Sequence, residues 1–348
     1  MYQLRISKII EQPGENCTFE LEPVGEPYPS YTAGQFLPLI FHIGNQELRR
    51  SYSFNSSPDV NEPLSITVKR LENGEISRLL HHKTRVGDIL TAQGPQGMFT
   101  YTPDPELERT VFLFGAGVGI TPLFSILKTA LVKERKSKLV LIYSNRSADS
   151  AVFHDELMSW QSRYPERLKI VWIYSNSQNP ITARLNTIYI RQLVDQHLQF
   201  EKSRALFYSC GPVIYMDLCR ISLLGMGFSL SQIKRETFVL PEDESDDDDT
   251  SEKKPKDTHT YSVVLKFQGK THELDIPYPK RILDVALEHG INLPYSCHAG
   301  MCSTCIATCT RGDVRMDYNE VLTDEELSQG RVLVCTGHPT ENGTTIEW

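Results

Sequence analysis

The chain has no unbroken apolar run long enough to cross a bilayer. Its one long apolar stretch, Val111 to Leu127, is interrupted by Gly115, Gly117, Gly119 and Pro122, and reads as a buried strand running into a helix rather than a membrane span. The first ten residues alternate like a strand and lack the basic-then-apolar layout of an export signal, which predicts a cytoplasmic protein. No segment shows the basic stripe of a nucleic-acid binder, and no internal repeat is present. With 40% apolar and 23% charged residues, the composition excludes a disordered or coiled-coil chain. The 348 residues predict two or three domains, each with its own core.

Charge of one sign is not evenly spread. Residues 241–259 hold nine acidic and three basic groups, and residues 260–348 hold twelve and seven. Residues 1–240 carry 23 acidic and 26 basic groups, so the two ends of the chain differ in sign. The acidic segment has no apolar residue to bury and is expected to be a solvated linker. As a flexible coil it spans about 24 Å r.m.s., at about 5.5 Å times the square root of its length.

Three rhythms divide the chain. Residues 1–104 show short β-rich runs between turn residues, which predicts an antiparallel barrel or sandwich. Residues 105–240 alternate buried strands with helices, the pattern of a parallel α/β sheet. A helix is expected from Leu123, with others near Val152 to Tyr164, Thr187 to His197 and Val213 to Leu224. After the linker at 241–259, residues 260–348 open with a hairpin around Gln268-Gly269-Lys270 and a helix near Ile282 to Glu288. A capping box at Thr323 and Glu326 then precedes a strand through Val332 to Cys335.

Five of the eight cysteines crowd this last part. Cys297-x4-Cys302-x2-Cys305, with 29 residues between it and Cys335, has the spacing that holds a plant-type [2Fe-2S] cluster. Structural zinc favours paired Cys-x2-Cys knuckles or histidine partners, and only one such pair exists here. Cys309 follows Cys305 by four, but the alternation along Ile306-Ala-Thr-Cys-Thr makes it a bystander.

Two further groups of residues suit nucleotide chemistry. In Arg50-Ser-Tyr52-Ser53 an arginine can pair with phosphate and a tyrosine ring can cover a heterocycle; Gly74-Glu-Ile76-Ser77 opens a helix whose N-terminus can take a second phosphate. In Gly115-Ala-Gly117-Val-Gly119-Ile-Thr121-Pro122, glycines between a strand and a helix let the backbone approach a pyrophosphate. Ile120 occupies the last glycine position of the dehydrogenase fingerprint, so that family is set aside. Ser209-Cys210-Gly211-Pro212 follows the strand Ala205 to Tyr208, and Glu236-Thr-Phe238 comes near the end of this part. Arg146 follows the second strand, where no acidic residue would repel a 2'-phosphate; this favours NADPH over NADH.

Taken in order, these motifs resemble the ferredoxin-NADP reductase superfamily joined to a C-terminal plant-type ferredoxin. The arrangement most resembles the reductase subunits of phenylacetyl-CoA epoxidases. The resemblance implies a multidomain chain of Greek-key β-barrel, nucleotide-binding α/β domain and β-grasp ferredoxin domain. It implies that FAD is held by Arg50, Tyr52, Ser53, Thr67, Lys69, Gly74, Ile76 and Ser77. NADPH or NADH would be held by Gly115, Gly117, Gly119, Thr121, Pro122, Arg146, Cys210, Gly211 and Pro212. Tyr52, Ser53, Cys210 and Glu236 would stand by the reacting rings, and Cys297, Cys302, Cys305 and Cys335 would ligate a [2Fe-2S] cluster.

A nicotinamide gives up two electrons as a hydride and the cluster takes one; a flavin between them resolves the mismatch. The motif order thus reads as NAD(P)H to flavin to cluster to an electron-accepting partner. That partner is expected to be a diiron oxygenase such as phenylacetyl-CoA epoxidase. A hybrid-cluster protein, a Rieske dioxygenase or a desaturase is the alternative acceptor, and FMN the alternative flavin, as in phthalate-dioxygenase-reductase-like proteins. The competing class is a non-enzymatic β-grasp adaptor. Opposite charge on the two ends of the chain can assist transfer between them. Added salt is therefore expected to slow flavin-to-cluster transfer in stopped flow; rates indifferent to salt would remove the electrostatic contribution.

Overall fold

A computed structural model describes residues 1–44, 46–179, 181–238, 259–295, 298–300, 304–319 and 321–348. The acidic segment up to residue 258, with Cys297 and Cys302, lies outside the described residues. Two compact units emerge, Met1–Phe238 and Val239–Trp348.

The first unit opens with β1 (Tyr2–Gln12), β2 (Asn16–Val24), β3 (Phe36–Ile43), β4 (Gln46–Ser53), β5 (Leu64–Lys69), the helix α1 (Glu75–His82) and β6 (Ile89–Ala92). The six strands form one sheet in the order β4-β3-β6-β1-β2-β5, with antiparallel pairs throughout. A bridge from Phe54 to Ile66 joins its two edges and closes the barrel. Alternation supplies the core: Leu4, Ile6, Leu37, Leu39, Ile66 and Val68 all point inward.

The chain continues through β7 (Thr110–Ala116), α2 (Ile120–Lys133), β8 (Lys138–Asn145), α3 (His154–Arg163), β9 (Leu168–Tyr174), α4 (Thr187–His197), β10 (Ala205–Cys210), α5 (Val213–Leu224) and β11 (Ile233–Glu236). The sheet is parallel, in the order β11-β10-β7-β8-β9. Helices α2 and α3 cover one face and α4 and α5 the other. After β9 the chain crosses back to the far side of β7, so β7 and β10 lead away from each other at their C-terminal ends. That crevice is where open α/β sheets take ligands.

α2 begins at Ile120, three residues before Leu123, because a short 3-10 turn over Gly117–Gly119 feeds it directly. Its far end is fixed by Glu134, which is 0% exposed. That carboxylate takes Arg109 and the hydroxyl of Ser137, and the Glu134 carbonyl takes Arg167. Removing one member of such a buried set leaves uncompensated charge, at a cost of about 3–5 kcal/mol.

The second unit holds β12 (Thr260–Phe267), β13 (Lys270–Pro277), α6 (Ile282–Glu288), β14 (Ile306–Arg311), β15 (Val314–Met316), α7 (Asp324–Ser328), β16 (Arg331–Leu333), β17 (Gly337–Pro339) and β18 (Thr344–Glu347). Its main sheet runs β13-β12-β18-β14-β16, with β12 and β18 parallel, and α6 packs into its core. The β12–β13 hairpin turns on Gln268 and Gly269, both at positive φ, as a two-residue turn requires. The capping box forms: the Thr323 hydroxyl accepts from Glu326 N, and the Glu326 carboxylate accepts from Thr323 N. Cys335, however, is not on a strand. It sits in the turn between β16 and β17, closed by Thr336 N–H to Leu333 O at 3.2 Å; the β14–β16 register runs one pair further, with Val334 N–H on the Cys305 carbonyl at 3.3 Å, and the chain turns there. Among the described residues no helix is long and apolar enough to cross a membrane.

Burial in the first unit has a pH consequence. Cys210 and Cys219 are held above the ordinary thiol value of 9.0, and Tyr143, Tyr208 and Tyr215 above the ordinary phenol value of 10.0, in each case chiefly by burial. The unfolded chain therefore releases these protons first. Stability is fully present below pH 9 and declines as pH rises, by about 1.4 kcal/mol per pH unit for each group still protonated in the fold. The urea midpoint of the first unit is expected to decline from about pH 9 and more steeply past 10; a flat profile to pH 11 would contradict this.

Candidate functional site

Within the barrel, Arg50 and Tyr52 lie opposite Leu39 and Leu37 of β3 and so share the core face. The Tyr52 ring packs partly on that core and stays partly exposed. Arg50 donates to the Arg49 carbonyl at 2.8 Å, and among the described residues it has no carboxylate partner, whereas Arg49 pairs with Glu47. A half-buried guanidinium left in this state suits an anion. Ser53 sits on the other face, opposite Phe36, and is buried.

Helix α1 has no side-chain cap, which leaves its first-turn N–H groups for an anion. The hydroxyl of Ser77 is not available in the same way. It accepts from Leu71 N and donates to Gly74 O, each at 3.1 Å, so it shapes the loop. A Cβ at Gly74 would lie 2.4 Å from that hydroxyl. The Ile76 side chain is spent in the barrel core; its backbone N–H alone can face a ligand. Thr67 is buried, bonded to Thr18 at 2.7 Å and to Asn55 at 3.2 Å. Lys69 is exposed at the end of β5. Strand β5 touches the Gly117–Gly119 turn, which brings the barrel residues to the glycine loop.

The glycines of that loop divide their work. A Cβ on Gly119 would lie 2.3 Å from the carbonyl oxygen of Cys210, and one on Gly211 would lie 2.8 Å from Ala116 Cβ. These two glycines let the loops after β7 and β10 interlock. Gly115 packs beneath Leu123 and Tyr143. Gly117, at φ +53° with nothing within 4 Å of its would-be Cβ, alone faces open space. The Thr121 hydroxyl donates to Val118 O at 3.1 Å and Pro122 is buried, so both hold the helix start. Pro212 is exposed at the start of α5.

Gly115, Cys210 and Glu236 form one row across β7, β10 and β11. Cys210 is fully buried, and burial, reinforced by the Glu236 charge, pushes its thiol well above the usual range. It is a neutral packing surface rather than a nucleophile. Arg146 stands exposed beyond β8 and has no carboxylate partner among the described residues.

Two tyrosines escaped the sequence reading. Tyr143 donates to Gly117 O at 3.0 Å, and Tyr215 to Gly115 O at 3.2 Å. Their phenols satisfy the loop's carbonyls from below. The only signal was a phenol at the end of one strand and another in the first turn of the helix after Pro212, neither part of a recognised motif.

In the second unit, Cys305 and Cys335 are 2% and 1% exposed, and their sulfurs approach to 3.1 Å. That is too long for a disulfide and suits two cysteine side chains aimed at one centre. Gly300 N–H donates to Cys335 Sγ at 3.3 Å, and a Cβ on Gly300 would lie 2.6 Å from Tyr318 O. The donor set and its N–H support fit an iron–sulfur cluster. Cys309 turns away, its sulfur reaching Arg311 O at 3.3 Å.

Comparison with known proteins agrees. Residues 17–101 match the oxidoreductase FAD-binding domain, 113–220 the oxidoreductase NAD-binding domain, and 265–340 the 2Fe-2S iron-sulfur cluster binding domain. The chain is 32% identical to the ferredoxin reductase component of 3-ketosteroid-9-alpha-monooxygenase from Rhodococcus rhodochrous, over 99% of this chain and 96% of that protein. It is 30% identical to a 1,2-phenylacetyl-CoA epoxidase component from Escherichia coli strain K12, over 100% and 97%. Phthalate dioxygenase reductase shares the fold, with a TM-score of 0.59 at 22% identity over 99% of this chain and 97% of that one.

The interlock predicts different outcomes for two glycines. Gly119→Ala drives a methyl into backbone and is expected to cost about 1–3 kcal/mol and to slow flavin reduction by NAD(P)H by about 100-fold, with flavin retained. Gly117→Ala meets no atom and is expected to cost about 1–2 kcal/mol for its left-handed φ. Urea unfolding and anaerobic reduction rates compare them; equal effects would refute the division.

Proposed function

The chain belongs to the family of oxygenase reductase components that carry FAD-binding, NAD-binding and 2Fe-2S domains, and on that premise we propose that it draws electrons from NADPH and delivers them to a diiron oxygenase of the phenylacetyl-CoA epoxidase kind. It is an oxidoreductase that uses FAD, NAD(P)H and a [2Fe-2S] cluster and passes electrons to an oxygenase partner. The observation that carries the reading is the succession of three cofactor domains along one chain, ending in the convergence of Cys305 and Cys335. Bound FAD supplies the exchange between a two-electron hydride donor and a one-electron iron–sulfur acceptor.

The chain's own residues do the rest. The Arg50 guanidinium and the N–H groups at the start of α1 bind the FAD pyrophosphate, and Tyr52 places the isoalloxazine, with the backbone at Ser53 following it and Thr67 and Lys69 on the neighbouring strand. Gly117 gives the nicotinamide pyrophosphate an open approach, and Gly115, Gly119, Thr121, Pro122, Gly211 and Pro212 shape the crevice. Cys210, fully buried, backs the nicotinamide crevice as uncharged packing, with Glu236 beside it in the same row. Arg146 pairs with the 2'-phosphate of NADPH. Cys297, Cys302, Cys305 and Cys335 hold the cluster, and we place the protein in the cytoplasm, where nicotinamide is supplied and thiols stay reduced. A steroid monooxygenase is the second reading for the partner, favoured by the 32% identity to such a component. The domain limits we adopt are 1–104, 105–240 and 260–348, joined by the linker at 241–259.

Anaerobic titration of the full-length protein with NADPH is expected to bleach the flavin and then give the paramagnetic signal of a reduced two-iron centre. In Arg146→Ala the KM for NADPH is expected to rise about 10-fold to 100-fold, as loss of a charged hydrogen bond implies, with that for NADH unchanged. Bleaching without the two-iron signal would overturn the electron path, and equal KM changes for both nucleotides would overturn the role of Arg146.

A further inference from the structure

Helix α2 starts directly behind the glycine loop. Ser125, Lys128 and Thr129, at i, i+3 and i+4, share the face it turns to the barrel, and all three are buried. Opposite runs the segment that continues from Ser53. Ser125 Oγ donates to Ser56 O at 2.6 Å, and the hydroxyls of Thr129 and Ser57 share a hydrogen bond at 2.7 Å. Lys128 Nζ donates to Glu62 Oε1 at 2.5 Å, and the same oxygen accepts Ser57 N–H at 2.6 Å. On the barrel side, Ser56 Oγ accepts Ser65 N–H at 2.9 Å, Asn55 donates to Ser65 Oγ at 2.8 Å, and Thr67 donates to Asn55 Oδ1 at 3.2 Å. The hydrogen bonds run unbroken from the glycine-loop helix to Thr67.

Lys128 is 2% exposed, and its ammonium also lies 4.3 Å from the Phe124 ring centroid. An apolar pair of similar volume usually fills such a space at no loss of stability. A charge pair here acts instead through geometry, because one Glu62 oxygen holds both the helix and the backbone N–H of Ser57, four residues beyond Ser53.

We propose that Lys128 and Glu62 are positioning residues for hydride transfer: their pair sets how far the Arg50–Ser53 strand stands from the Gly115–Gly119 loop. The inference rests on the function proposed above. In that step one C–H bond of the dihydronicotinamide breaks, its hydrogen and both bonding electrons pass to the flavin, and the pyridinium cation remains. Reacting atoms must come within about 3–3.5 Å, and a misplacement of about 1 Å costs about 100-fold.

The test uses the full-length holoprotein in anaerobic stopped flow, with NADPH carrying hydrogen or deuterium at C4. The double variant Lys128→Met with Glu62→Leu removes both charges together. It is expected to keep its flavin and its urea midpoint and to bind NADPH within about twofold of the parent, yet to bleach at least about 10-fold more slowly at saturation, with a larger deuterium isotope effect. Glu62→Asp keeps the charge but shortens its reach by one methylene, and carries the test if the double variant loses flavin; slowing with flavin retained supports the proposal. Bleaching at the parent rate with the parent isotope effect, in whichever variant holds flavin, would overturn it. A parent protein that NADPH does not bleach at all would instead remove the function on which the proposal rests.

Discussion

The approach of Gly119 to the Cys210 carbonyl, closer than any side chain would permit, is the contact on which the nucleotide crevice depends. It brings the ends of β7 and β10 into backbone contact at the point where the sheet order reverses. Cys210 is thereby held between Gly115 and Glu236 in a single row. Tyr215 donates to the Gly115 carbonyl, and Tyr143 adds a second donor to the Gly117 carbonyl, which already accepts Ile120 N–H in the 3-10 turn. The loop is thus rigid on its inner side and bare on its outer side, at Gly117.

Rigidity at the loop would be of little use if the helix behind it could drift. Helix α2 is buried almost all round, as expected of an element sandwiched between a sheet and a barrel. It is tied at two levels, by Lys128 to Glu62 of the barrel and, beyond its last turn, by Glu134 to Arg109 within the α/β part. Both ties are largely desolvated ion pairs, in which removal of one partner costs far more than removal of both. The Lys128–Glu62 pair, which joins the two halves of the first unit, consequently specifies position more than it adds stability.

Helices were legible from the sequence: Thr187–His197, Val213–Leu224 and Ile282–Glu288 run to the residues expected. The turn that carries Cys335 was not, since Val332 to Cys335 reads as one apolar run, and the strand is ended by the Thr336 N–H bond to Leu333 O and by the distant Leu283 N–H, which takes the Val334 carbonyl. The glycine loop was legible as a motif but not in its division of labour. Which glycine meets backbone depends on Cys210 and Gly211, about ninety residues away. Ser77 shows the same limit: a serine at a helix start suggests an anion ligand, while its hydroxyl in fact closes a local turn on Leu71 and Gly74.

The cysteine pair in the second unit brings electrostatics to the same conclusion as spacing. Cys305 and Cys335 bring their sulfurs to 3.1 Å and Gly300 N–H donates to Cys335 at 3.3 Å. Once deprotonated as ligands, two sulfurs at that separation would repel by about 5 kcal/mol at an effective dielectric of about 20, which positive iron between them would offset. Since ligand thiols must lose their protons to bind metal, loading of the cluster and order in the surrounding turn become one linked equilibrium. Gly300 enters that equilibrium through shape as well as charge, because its approach to the Tyr318 carbonyl leaves no room for a side chain. The backbone on both sides of the cysteine turn is therefore arranged for a charged centre that the thiols alone would not stabilise.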